Sequence, residues 1–105
     1  MLESMKLLLE LRGYDVRTYL RALDLLDHLP GVGVDDVVVS DYYLPDMNGV
    51  ELAKRVRRER PRVRVLLLTG SREDGVAKAA QSVPDCKVMY KPLDVDALYE
   101  SIARA

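Results

Sequence analysis

Three polar side chains stand where three apolar runs stop. Asp41 follows Val37–Ser40, Thr69 follows Val63–Leu68, and Lys91 follows Val88–Tyr90. A carboxylate can attack phosphorus and become an acyl phosphate. A hydroxyl can donate to a phosphoryl oxygen, and an ammonium can offset charge that builds up during transfer. Taken singly, each residue has an ordinary explanation. An aspartate often closes a turn, a threonine at a strand end often does the same, and a lysine is mostly a surface residue. Together at one rim they would form a coherent site, so the question is which elements carry them.

Those elements are legible as a rhythm of apolar runs and amphipathic segments. Residues 2–12 read as a helix with Leu2, Met5, Leu8 and Leu9 on one face, ended by Gly13 as a C-terminal cap. Asp15–Tyr19 is a strand candidate by its β-branched and aromatic content. Residues 21–29 read as a helix that the stretch PGVGVDD breaks. Val37–Ser40 is a continuous apolar strand of the kind buried on both faces of a parallel sheet. Asn48 is placed to cap a helix running to about Arg60, with Val50, Ala53 and Val56 inward and Pro61 closing it. Val63–Leu68 is the next strand. Ser71 to Asp74 forms a capping-box pattern ahead of a short helix through Ala80. Val88–Tyr90 is the last strand, and Asp94 caps a helix in which Val95, Leu98 and Ile102 share a face. Strands alternating with helices imply a parallel α/β sheet, whose ligand sites gather beyond the carboxyl ends of the strands. Asp41, Thr69 and Lys91 stand at three such ends.

The bulk properties narrow the classes. A chain of 105 residues suits one domain, taken as residues 1–105, and 49% hydrophobic with 31% charged residues is an ordinary globular mix. A net charge of -1 gives no general attraction to nucleic acid or to an anionic membrane. No apolar run reaches the ~20 residues of a membrane span, and the N-terminus has no secretory-signal pattern. Cys86 is the only cysteine, which excludes an internal disulfide and a cysteine-based zinc cluster. A cytoplasmic setting fits these features. The basic run AKRVRRERPRVR reads as the solvated face of an amphipathic helix rather than as a nucleic-acid patch. His28 has no partner histidine for a metal site and stands near a helix end, where a cationic ring suits the dipole. Of Tyr42 and Tyr43, one is expected in the core and the other on a loop.

The stretches VVVSDYYLPDMNGVEL, LLLTG and YKPLDVDAL, with LLLELRGYDV before them, resemble the receiver domain of two-component response regulators. The resemblance covers nearly the whole chain in order and spacing. It implies a flavodoxin-like doubly wound parallel sheet. It also implies that Asp41 is the phosphoacceptor, Thr69 the hydroxyl that contacts the phosphoryl group, and Lys91 the lysine beside it, with the following bond to Pro92 held cis. Magnesium is the implied cofactor, with Asp41 and the Tyr43 carbonyl as ligands. The implied partner is a sensor histidine kinase or a phosphotransfer protein, with no direct nucleic-acid binding, no membrane and no enzymatic role beyond its own phosphorylation and dephosphorylation. Pro45 and Gly49 are expected to shape the loop, the glycine by tolerating positive φ.

Two departures qualify the resemblance. Receivers open with an apolar strand ending in an acidic pair that helps hold magnesium, whereas Met1 already lies within the first helix-like segment. Glu3 is a poor substitute for that pair. Without the strand, buried side chains worth about 6–12 kcal/mol would be lost, so the sheet is expected to rearrange or to exchange strands in a homodimer. Val88 stands where many receivers carry an aromatic switch residue. The alternative reading is therefore a receiver-like interaction module that is not phosphorylated.

Overall fold

The computed structural model describes residues 2–33, 35–70, 75–91 and 94–103, and the side chains of all of these except Leu2 and Glu3. The proposed roles of Glu3, the capping box at 71–74 and the Pro92 peptide bond lie outside the described residues.

Among the described residues three strands, β1 (Val37–Asp41), β2 (Arg64–Thr69) and β3 (Cys86–Tyr90), form one parallel sheet in the order β1-β2-β3. The strands keep their chain order, without rearrangement. Parallel neighbours need crossovers. They are supplied by α3 (Gly49–Glu59) between β1 and β2 and by α4 (Val76–Ala80) between β2 and β3. Helices α1 (Leu2–Glu10), α2 (Ala22–Asp27) and α5 (Val95–Ala103), and a 3₁₀ turn at Leu29–Gly31, are the remaining elements among the described residues.

The alternation of side chains along the strands sorts the core into two layers. Val38, Val65 and Leu67 face Val50, Ala53 and Val56 of α3, with Ala22, Leu29, Val76 and Ala80 closing that layer. Leu66, Val37, Val39 and Met89 face the other way, onto Leu9 of α1 and Leu98 and Ile102 of α5. Helices thus cover both faces, and every residue of β2 after Arg64 is buried, as expected of a central parallel strand. The Tyr99 hydroxyl donates to the Leu8 carbonyl at 2.8 Å, and the Arg12 guanidinium lies 4.1 Å from the centre of the Tyr99 ring. These contacts fasten α1 to α5.

Asp15–Tyr19 is the element that differs from expectation. It forms no strand, and only Val16 of it packs against the α1–α5 layer. Its residues have strand-forming types, but a strand exists only when a neighbour takes its N–H and C=O groups. Among the described residues β1 pairs with β2 alone, so no ladder is offered to this segment. The basic run also has more structure than a solvated face. Arg57 Nε donates to the Pro84 carbonyl at 2.8 Å and Nη1 to the Pro61 carbonyl at 2.7 Å, tying the end of α3 to the entry of β3. Arg60 Nη2 donates to the Val32 carbonyl.

Candidate functional site

Strand register brings the three expected residues to one rim. Asp41 is opposite Leu68, Thr69 is opposite Tyr90, and Lys91 follows directly. The Lys91 N–H donates to the Thr69 carbonyl at 2.8 Å, continuing the ladder one residue past the strand. The Lys91 ammonium then reaches back across Thr69's strand to Asp41, with Nζ 2.8 Å from Oδ1. Both side chains are about one-third exposed, at 32% and 35%. Such a half-open ion pair contributes little to folding, ~0–1 kcal/mol. Its worth lies in placing a cation against a carboxylate.

The two oxygens of Asp41 are not equivalent. Oδ1 is buried and has no hydrogen-bond partner, so the lysine meets it as an ion-pair contact off the hydrogen-bonding direction. The 35% exposure of the side chain therefore lies on atoms other than Oδ1. Thr69 is only 2% exposed. By alternation its Cβ points to the α3 layer with Leu67, whereas Asp41 and Lys91 share the parity of Val39 and Met89. The rim is thus approached by the ion pair from one face and by the threonine from the other.

The loop after Asp41 is short and pinned at its base. Tyr42 N–H donates to the Leu68 carbonyl at 2.9 Å, which fixes the exit from β1. Gly49 N–H then donates to the Tyr42 carbonyl, and Tyr43 and Asn48 form an isolated antiparallel bridge. The Asn48 side chain caps α3 by accepting the Glu51 N–H at 2.8 Å, as its position in the sequence implied. Tyr42 packs on the core, and Tyr43 is 75% exposed and meets the Tyr42 ring edge-on at 4.8 Å.

Gly49 is needed for a different reason from the one expected. Its φ is not positive; the described glycines with positive φ are Gly13 and Gly75. A Cβ at Gly49 would lie 2.8 Å from Leu67 Cδ2, 2.9 Å from the Asp41 carbonyl oxygen and 3.1 Å from Tyr42 Cα. The start of α3 therefore rests directly on the backbone of the candidate nucleophile.

Asp46 is the residue that sequence reasoning passed over. Its carboxylate accepts the N–H groups of Ala22 at 3.0 Å and Leu23 at 2.9 Å, at the start of α2. These bonds, Leu23's foremost, hold its carboxyl below the usual aspartate range. The only available signals were an Asp in a turn-forming stretch and a helix start without a Ser, Thr, Asp or Asn cap at Arg21.

The described residues offer few donors for magnesium. Among the described residues no group of three or more His, Cys, Asp or Glu side chains could hold a metal ion. Asp41, with one oxygen already against Lys91, and the Tyr43 carbonyl fall short of the near-octahedral oxygen shell that the ion prefers. These residues do not by themselves make a magnesium site.

The profile described as response regulator receiver domain matches residues 1–103. The transcriptional regulatory protein FixJ of Bradyrhizobium diazoefficiens is 31% identical over 105 residues, which is 100% of this chain and 51% of that protein. The transcriptional regulatory protein GlrR of Escherichia coli is 38% identical over 69 residues, 64% of this chain and 15% of that one. The chain thus spans about half, or much less, of the curated relatives it matches. A CheY-like response regulator receiver domain protein from Methanospirillum hungatei superposes with a TM-score of 0.84 at 27% identity, over 96% of this chain and 80% of that one. The crystal structure of FixJ-N gives a TM-score of 0.84 at 26% identity, over 95% of this chain and 79% of that one. The architecture is the flavodoxin-like α/β fold.

Proposed function

Because the chain belongs to the response regulator receiver domain family, we propose that it carries its signal by accepting a phosphoryl group on Asp41. The observation that supports this most is the Lys91 ammonium 2.8 Å from Asp41 Oδ1, at the carboxyl end of a parallel sheet. In the proposed step an Asp41 oxygen attacks the phosphorus of a phosphohistidine on a kinase or phosphotransfer protein. A new O–P bond forms as the N–P bond breaks, and the electron pair returns to the imidazole nitrogen, which takes up a proton. The product is an aspartyl phosphate with about one more negative charge at the rim. Lys91 offsets that charge from the buried side of the carboxylate, and the Thr69 hydroxyl donates to a phosphoryl oxygen.

Receiver domains are signalling modules that interact with histidine kinases or phosphotransfer proteins, and they generally bind magnesium at the phosphorylation site. Here Asp41 and the Tyr43 carbonyl are the donors that would face the ion, and no step above depends on them in that role. The same reading takes residues 1–105 as one domain. It assigns no catalysis beyond the domain's own phosphorylation and dephosphorylation, and it places the protein in the cytoplasm without direct contact to nucleic acid. No described helix is long and apolar enough to cross a membrane. A homodimer belongs to this proposal, and sedimentation equilibrium of the purified chain tests it.

The functional test is incubation with a small phosphodonor and magnesium, followed by intact mass. The expected result is one acid-stable, hydroxylamine-labile phosphoryl adduct that Asp41→Asn abolishes. An adduct that persists in Asp41→Asn overturns the assignment.

A further inference from the structure

The loop between β1 and α3 is held at its tip by a carboxylate that the proposed chemistry does not use. Asp46 lies 24 residues from Ala22 and 23 from Leu23, yet it accepts both of their N–H groups. Those are first-turn donors of α2, which a helix cannot satisfy internally. The residue at the cap position of α2, Arg21, makes no side-chain cap bond, and its guanidinium is turned to Asp24 at 3.3 Å. The helix therefore takes its cap from the loop that follows the nucleophile.

The other restraints on that loop act differently. The Gly49–Tyr42 bond and the Tyr43–Asn48 bridge close its base. Leu44 and Met47 rest against the core, but apolar contact is non-directional and does not fix where a backbone carbonyl points. Asp46 supplies the directional bonds at the tip.

We propose that Asp46 is a positioning residue for phosphoryl acceptance: by clamping the 42–48 loop to α2 it holds Asp41 and the Tyr43 backbone in the geometry that receives the phosphoryl group. The inference rests on Asp41 being the phosphoacceptor. Reaction rates respond steeply to displacement of the reacting groups, by ~100-fold for about 1 Å, and a loosened loop tip should shift the base by less.

The test measures initial rates of phosphorylation by acetyl phosphate with magnesium over a range of donor concentrations. It compares the wild type with Asp46→Ala, Asp46→Asn and Leu26→Ala. Leu26 lies on α2 and packs against the core, so its variant reports what weakening α2 does by itself. Asp46→Ala should lower the maximal rate about tenfold, with the half-saturating donor concentration unchanged. Asp46→Asn, whose amide oxygen still accepts, should recover most of that loss, and Leu26→Ala should melt earlier while keeping the wild-type rate. Should Asp46→Ala fail to fold, Asp46→Ser, with a shorter acceptor, takes its place. A rate in Asp46→Ala equal to wild type, an equal loss in Leu26→Ala, or no recovery in Asp46→Asn overturns the proposal and leaves the assignment of Asp41 standing. A wild type that takes no label removes both.

Discussion

Replacing Gly49 by alanine is the most demanding local perturbation available, since it adds one methyl group where α3 meets the site. That methyl would sit 2.8 Å from Leu67 Cδ2, 2.9 Å from the Asp41 carbonyl oxygen and 3.1 Å from Tyr42 Cα. Leu67 has 0% exposure and no room to retreat, and the other two contacts are backbone. Overpacking of this kind costs about 1–3 kcal/mol. Alanine's better helix propensity returns at most ~1 kcal/mol, and less at the first residue of a helix. The expected net loss is about 1–2 kcal/mol. For a domain of this size each kcal/mol lowers Tm by roughly 4–8 °C. Thermal and urea denaturation followed by circular dichroism measure it, and because the displaced atoms belong to Asp41 and Tyr42, phosphoryl uptake should slow in the same variant. A Gly49→Ala protein as stable as wild type would refute the close approach, and with it the argument that α3 positions the nucleophile.

Two further outcomes follow from other contacts. Tyr99→Phe removes the 2.8 Å bond to the Leu8 carbonyl and should cost about 1 kcal/mol by urea denaturation, leaving the site's chemistry unchanged. Asp46 has a folded pKa lowered by the Leu23 and Ala22 N–H groups. Its contribution to stability is therefore present above the ordinary aspartate pKa of the unfolded chain and is lost as pH falls through the lower folded value. The stability difference between wild type and Asp46→Asn should be constant near neutral pH and shrink on acidification. A constant difference down to the lowest pH at which both fold would show that the carboxylate is not held as described.

Much of the site was written in local pattern. The apolar runs ending at Asp41, Thr69 and Lys91 became three adjacent parallel strands, because a short apolar run flanked by helices has few other places to go. Asn48 and Asp94 cap their helices as their spacing indicated, since a cap bond spans only two or three residues. What was not legible depends on distant partners. Asp15–Tyr19 has the residue types of a strand but, among the described residues, no neighbour to pair with. Gly49 is required by Leu67 and Asp41 pressing on it, not by its own dihedral angle. Arg57 looks like one more surface arginine until carbonyls of Pro84 and Asp85, from the far end of a crossover, are placed beside it. Asp46 is a turn residue in sequence and the cap of a helix more than 20 residues earlier in space.

The central claim is that one carboxylate, set against the Lys91 ammonium, is the group that reacts. Borohydride reduces an aspartyl phosphate to homoserine, so treatment of the phosphodonor-labelled chain followed by peptide mass spectrometry reads out the reacted position directly. Homoserine at position 41, and absent from unlabelled protein, is the expected result. Homoserine at another aspartate, or none anywhere in chain that carries the label, would contradict it.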